Sequence, residues 1–164
     1  MGYQEMIDIG SGDGRISYCG KILGLSSYSI EIDDSLTQLQ ETISSSTGID
    51  FHPYCADALE FDYSSLLFSK PVFFIGGLSQ MGGDVLANGI IQKISVNDEL
   101  KKTTGFVFAG SHSKRLLSSN HSMGGWGSFI GKNNLQDDNT LLLPTVWTFD
   151  QEIDTPYIFT RFKQ

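Results

Sequence analysis

Cysteine, histidine and positive charge are all scarce in this chain, and each shortage removes a class of function. Two cysteines in 164 residues cannot build a disulfide framework, and Cys19 and Cys55 have no metal-ligand spacing. Both are read as small core residues of a protein in a reducing compartment, the cytoplasm. Of three histidines, His112 and His121 fall in one stretch without a partner set of ligands, so no metal site is expected. Lysine and arginine number 11 against 19 acids, a net charge of −8. That balance argues against broad binding to a nucleic-acid backbone, which takes clustered cations. It leaves room for a pocket that holds one nucleotide or one peptide side chain. No apolar run approaches the roughly 20 residues of a membrane helix, and no signal-peptide pattern opens the chain. No internal repeat or charge block marks a second domain, so residues 1–164 are read as one domain.

Hydrophobic residues make up 40% of the chain and charged residues 18%, which is the balance of a globular domain and not of a disordered one. The most informative stretch is Asp8-Ile9-Gly10-Ser11-Gly12-Asp13-Gly14-Arg15-Ile16. Residues 6–9 are apolar except for Asp8, three alternating glycines follow, and apolar positions at near-helical spacing come after them. That is a buried strand, a glycine turn and a helix start, the layout of a nucleotide-binding βαβ unit. A dinucleotide loop offers bare backbone N–H groups to a pyrophosphate through Gly-x-Gly-x-x-Gly. Here the spacing is Gly-x-Gly-x-Gly, and Asp8 and Asp13 bring two carboxylates. These would repel phosphates and suit a ligand that carries an ammonium or sulfonium group, as S-adenosylmethionine does.

The stretch closely resembles the first motif of the class I S-adenosylmethionine-dependent methyltransferases. The resemblance implies an α/β, Rossmann-like sandwich whose mostly parallel seven-stranded sheet ends in an antiparallel strand, here minimal, without the amino-terminal helix that often precedes the first strand. It implies a cofactor site of Asp8, Gly10, Ser11, Gly12, Asp13 and Gly14, with Asp8 on the methionine amine. Residues 27–32 read as a second strand ending in an acid, and Glu31 lies 17 residues beyond Gly14, near the distance at which such folds place a carboxylate on ribose hydroxyls. The family's acid maps onto Glu31, with Ile32 beside it. The family's adenine contact maps onto Asp57, with the backbone N–H of Ala58 donating to the ring, and Gly76 completes the set at the end of the fourth strand.

The rest of the chain is read in order. Asp33 and Asp34 are N-cap candidates for a helix over 35–44, with Leu36, Leu39 and Ile43 on one face. Residues 49–55 form a third strand that Pro53 confines to an edge or bulge. Asp57 doubles as a cap for a helix over 58–63. Residues 71–75 are a continuous apolar run, the mark of a central parallel strand. A helix over 84–94 and a strand over 105–110 follow. Residues 111–139 read as a long polar loop of the kind that is usually functional or disordered. Its His112, Lys114, Arg115, His121 and Trp126 form an aromatic and basic set, with Trp126 placed to stack on a base, to enclose an alkylammonium, or to pack on the core. Residues 141–149 and 157–162 are the closing antiparallel pair.

The methyl acceptor should meet the cofactor at Gly76-Gly77-Leu78-Ser79-Gln80-Met81-Gly82-Gly83, with Ser79 and Gln80 as contacts. This segment holds no titratable side chain. A ribose hydroxyl needs a positioned base, whereas guanine N7 and a deprotonated lysine amine already offer a lone pair. For those acceptors, alignment in a water-poor pocket can supply on the order of 7–11 kcal/mol at best. Two subfamilies are therefore implied. Small size, abrupt ends and the missing base resemble the compact cap guanine-N7 methyltransferases of positive-strand RNA viruses, and Gln164 is the residue that 3C-like proteases leave in polyproteins. The amino-terminal motif, with Ser79-Gln80-Met81 and Thr145-Val146-Trp147, resembles small protein-lysine methyltransferases. The cap enzyme, in a host cytoplasm, is the first expectation. A lysine acceptor, or a module that binds cofactor without turnover, is the alternative.

Overall fold

The computed structural model describes residues 2–66, 68–111, 123–145 and 154–164. Among them a single sheet runs through the molecule, built from β1 (Glu5–Ile9), β2 (Ser26–Glu31), β3 (Pro53–Cys55), β4 (Pro71–Ile75), β5 (Gly105–Ala109), β6 (Leu135–Leu143) and β7 (Thr155–Phe162). The strand order is β3-β2-β1-β4-β5-β7-β6. The first five strands pair in parallel, and β7 inserts antiparallel between β5 and β6. Parallel neighbours need crossovers, and α1 (Arg15–Ile22), α2 (Asp34–Thr47) and α3 (Gly83–Ser95) supply them. A short α4 (Asp98–Thr103), capped by Asn97, follows α3, and α5 (Gly127–Lys132) precedes β6. This is the α/β, Rossmann-like sheet expected from the sequence, with the last strand of the chain antiparallel and set between β5 and β6.

Alternation along the strands sends different residues to the two faces. Ile7 and Ile9 of β1, Phe73 and Ile75 of β4, and Phe106 and Phe108 of β5 join Ile90 and Ile94 of α3 in the main core. Met6 and Asp8 point the other way, where Asp8 meets Ser17 of α1 and the Met6 side chain lies against Gly20. A Cβ at Gly20 would stand within 3 Å of both the Met6 methyl and the Ser27 hydroxyl, so glycine lets this helix lie against the sheet.

Several local expectations are corrected. Helix α1 buries its small residues, Ser17 and Gly20, and leaves Ile22 and Leu23 exposed. Helix α2 turns Thr37 and Gln40 inward and Leu39 outward, because the inward face meets the polar glycine turn. Asp33 alone caps α2, accepting from Ser35 and Leu36 N–H, while Asp34 accepts from Gln38. No helix forms over 58–63. A turn follows Asp57, and a 3-10 turn at Tyr63–Ser65 is capped by Asp62. Both cysteines are exposed, not internal: Cys19 lies on the outer face of α1 and Cys55 on the edge strand β3.

The largest correction falls on the supposed polar loop. Residues 112–122 lie outside the described residues, but Met123–Gly125 form a 3-10 turn, α5 follows, and β6 begins at Leu135. The closing pair therefore starts earlier than its apolar residues suggest, and 146–149 lie outside the described residues. Gln136, Asp137 and Asn139 of β6 are all exposed, and their polarity disguised a strand as a loop. Trp126 is fully buried. Its indole N–H donates to the Ala109 carbonyl at 2.9 Å, and its ring stacks on Phe108 with centroids 4.5 Å apart. It is a core residue and has no face left for a base or an alkylammonium.

Candidate functional site

The carboxyl ends of β1 to β5 share one edge of the sheet, and strand order reverses between β1 and β4. In open α/β sheets a crevice at that position is where ligands sit. The glycine turn fills it from the β1 side. Gly10, Gly12 and Gly14 have φ of 65°, 58° and 76°, all left-handed. The Gly10 and Ser11 N–H groups both donate to the Ile30 carbonyl, at 2.9 and 3.2 Å, which ties the turn to β2. The glycines differ in what surrounds them. A Cβ on Gly14 would come within 2.8 Å of the Phe51 ring and 2.9 Å of Gln40, whereas nothing lies within 4 Å of the equivalent point on Gly10 or Gly12. Gly14 serves the packing, and Gly10 and Gly12 leave an open side.

Glu31 ends β2 and reaches back over the turn. Its carboxylate accepts from Gly12 N–H at 2.8 Å, Ile32 N–H at 2.8 Å and Asp33 N–H at 3.0 Å, and the residue is buried. Three of roughly four acceptor positions are thus filled by backbone, which fixes the group's orientation and leaves one position for a hydroxyl. Asp8 is 2% exposed and accepts from the Ser17 hydroxyl at 3.2 Å. Burial raises its pKa to about 7, the Ser17 hydrogen bonds offset part of that, and the negative charges of Glu31 and Asp13 add to it. Near neutral pH this carboxyl is therefore close to half protonated. An arriving cation would draw it into the ionised form, while a phosphate would do the reverse.

Asp13 does not act as a second free carboxylate in the turn. It forms an exposed fork with Arg15, whose Nε lies 2.9 and 3.0 Å from the two carboxylate oxygens, and this hydrogen-bonded pairing holds its pKa low. At the end of β3, Asp57 is exposed and accepts from Leu59 N–H at 2.8 Å, and Ala58 is buried behind it. Ile32 is 68% exposed beside Glu31, with the Cys55 sulfur 4.0 Å from its carbonyl, so an apolar side chain, a thiol and Asp57 share this corner. Past β4, Gly76 is exposed, and the Ser79 hydroxyl donates to the Gly125 carbonyl at 2.9 Å. That bond pins the acceptor segment to the chain after β5. The Gln80 side chain and His112, Lys114 and Arg115 lie outside the described residues.

Two residues of this site were not among those expected. Gln40 is fully buried under the turn. Its Nε2 donates to the Ser11 hydroxyl at 3.0 Å and the Gly12 carbonyl at 2.7 Å, and its Oε1 accepts from Ser29 of β2. Ser17, the partner of Asp8, is equally hidden. Neither carries a sequence signal, since polar residues on a helix are normally its solvated face. Only Thr37 and Gln40 at i and i+3 hint at a polar stripe turned inward.

No family model and no curated protein matches the sequence. Solved structures match the fold along the whole chain. A ribosomal protein L11 methylase from Lactobacillus delbrueckii subsp. bulgaricus superposes with a TM-score of 0.61 at 16% identity, over 100% of this chain and 72% of that one. An S-adenosylmethionine-dependent methyltransferase from Clostridium acetobutylicum gives 0.64 at 6% identity, over 100% and 86%. Magnesium protoporphyrin IX methyltransferase from Synechocystis, solved with bound S-adenosylmethionine, gives 0.63 at 12% identity, over 99% and 71%. Identities this low speak for architecture alone. The chain thus has the Rossmann-like fold shared by S-adenosylmethionine-dependent methyltransferases, with its glycine turn, Asp8 and Glu31 gathered at the crevice of that fold.

Proposed function

We propose that this chain is an S-adenosylmethionine-dependent methyltransferase that acts on a nitrogen acceptor. The observation that carries the reading is a buried carboxyl, Asp8, beside a glycine turn whose Gly10 and Gly12 face open space, with no basic side chain paired to it among the described residues. Such a site suits an ammonium-bearing ligand and disfavours a pyrophosphate. When bound, the cofactor supplies a methyl group on sulfur: the acceptor nitrogen's lone pair forms the N–C bond as the C–S bond breaks, and that bond's electron pair stays on sulfur. Asp8 would orient the methionine amine, Glu31 would hold a ribose hydroxyl with its remaining acceptor position, and Ile32 would lie against adenine with Asp57 at its amine. The segment 76–83 has no titratable side chain, so the chain contributes alignment and exclusion of water, not proton removal.

Two acceptors fit. Guanine N7 of an RNA cap needs no base and draws support from Lys114 and Arg115 in the sequence, but Trp126 is internal and cannot serve it as a stacking platform. A lysine amine is favoured by charge. The described residues at the strand-end edge include Asp33, Asp34, Asp57 and Asp84, and the one arginine of the turn is already paired with Asp13. The test is incubation with methyl-labelled S-adenosylmethionine and, separately, a capped RNA and a lysine peptide pool. Asp8→Ala should abolish cofactor binding in calorimetry, and retained affinity removes its role. The rate on a lysine should climb with pH toward the amine pKa, while the rate on N7 should not.

A further inference from the structure

Beside the acceptor segment, α3 and α5 enclose a groove of about 700 Å³, a size within the range of ligand pockets. Asp84, Val85 and Asn88 line it from α3, and Ser128, Lys132 and Asn133 line it from α5 and its end. Ser79 and Gly125, joined by the hydrogen bond that ties residues 76–83 to the chain after β5, line it as well. The groove is therefore continuous with the place where the methyl group is expected to be delivered.

The two carboxamides of the groove keep bonding capacity. Asn88 is half-buried, and its amide has no hydrogen-bond partner among the described residues. Asn133 donates its amide nitrogen to the Phe129 carbonyl at 3.1 Å, and its amide oxygen has no hydrogen bond among the described residues. A carboxamide offers a donor and an acceptor side by side, which matches the N–H and C=O of an extended peptide. Val85 is 66% exposed and adds an apolar surface to the α3 wall of the groove. Charge separates the two macromolecular classes. Among the described residues one carboxylate, Asp84, stands against one ammonium, Lys132, so they leave the groove neutral, whereas a nucleic-acid strand calls for several cations per site.

From these features we infer that the α3–α5 groove binds an extended peptide segment flanking the methylated lysine, which makes a polypeptide the acceptor of this site. The inference rests on the methyl-transfer reading, and the experiment separates the two. Wild-type protein and Asn88→Leu are each assayed with labelled cofactor on an array of lysine-centred peptides and on a capped RNA. S-adenosylhomocysteine is titrated against both proteins by melting temperature. The expected result is label on peptides with a preference for particular flanking residues. Asn88→Leu should raise KM for the preferred peptide about tenfold, the worth of one or two lost hydrogen bonds, with kcat and the S-adenosylhomocysteine response unchanged. A second variant, Val85→Glu on the exposed face of α3, should shift the preference among apolar flanking residues. Label on the capped RNA alone, on neither probe, or on peptides with KM unmoved in both variants overturns the groove and leaves the cofactor site standing. No melting response to S-adenosylhomocysteine in the wild type overturns both readings.

Discussion

The two faces of the sheet are made of opposite materials. On the face that meets α1 and α2, many of the buried groups are small or polar, Ser17, Gly20, Ser27, Ser29, Thr37, Gln40 and Asp8, set beside the apolar Met6 and Phe51. On the face that meets α3 and α5, they are large and often aromatic, with Phe73, Phe106, Phe108 and Trp126 at or near zero exposure and Phe108 and Phe129 both in ring contact with Trp126. The polar face is held by direction, since each donor has a particular acceptor. The aromatic face is held by area and fit. A turn that must present backbone and carboxyl groups to a ligand has to be supported by groups that fix orientation, and an apolar layer could not do so. The faces should therefore respond to different perturbations, the polar one to charge and pH and the aromatic one to lost volume.

The largest effect is expected on the aromatic face. Trp126→Ala removes a fully buried ring and orphans the Ala109 carbonyl, and should cost about 3–5 kcal/mol in denaturant unfolding. The folded fraction should still bind S-adenosylhomocysteine with unchanged affinity. A loss of affinity larger than the loss of folded protein would mean that the two faces are not independent.

Next comes Asp8, whose effect depends on pH. Its folded pKa of about 7 lies above the ordinary 3.8, so the folded chain holds this proton more tightly than the unfolded chain does. The group costs nothing below about pH 4 by this linkage, and stability falls as pH rises toward 7, to a limit of about 4 kcal/mol. Asp8→Asn should therefore be more stable than the parent at pH 8, with the difference gone near pH 4, while it loses cofactor affinity. The parent's affinity for the cationic cofactor should rise from pH 6 to pH 8 as Asp8 ionises. Urea titrations and calorimetry across that range check both signs, and a parent with flat stability from pH 4 to 8 would sink the assignment.

The smallest stability effect sharpens the contrast. Gln40→Leu leaves the Ser29 and Ser11 hydroxyls and the Gly12 carbonyl without their partner, at a cost of about 2 kcal/mol. Its effect on S-adenosylhomocysteine affinity should be the larger one, a drop of about tenfold or more, because the Gly12 N–H no longer presents squarely to Glu31. An unchanged affinity would show that the turn keeps its shape without the amide.

The legible parts of this chain were those where a single residue type has one good use. Alternating glycines after an apolar strand announced the turn, an acid closing the next apolar stretch announced Glu31 at the end of β2, and the run Pro71-Val72-Phe73-Phe74-Ile75 announced a central strand. The errors came where a residue's role depends on what faces it. Trp126 between glycines left ligand stacking and core packing both open and is internal, Cys19 and Cys55 looked internal and are exposed, and Gln136 to Asn139 looked like loop and belong to β6.

By itself the sequence determined the first two strands and their helices, the central strands β4 and β5, the glycine turn and its acid, because these follow from local backbone geometry and from the pattern of apolar residues. The tertiary structure alone decided that Gln40 lies beneath the turn, that Ser17 meets Asp8, and that burial among like charges lifts that carboxyl's pKa. Those facts arise from residues far apart in the chain brought within hydrogen-bond reach and away from water, and no local pattern encodes such a meeting.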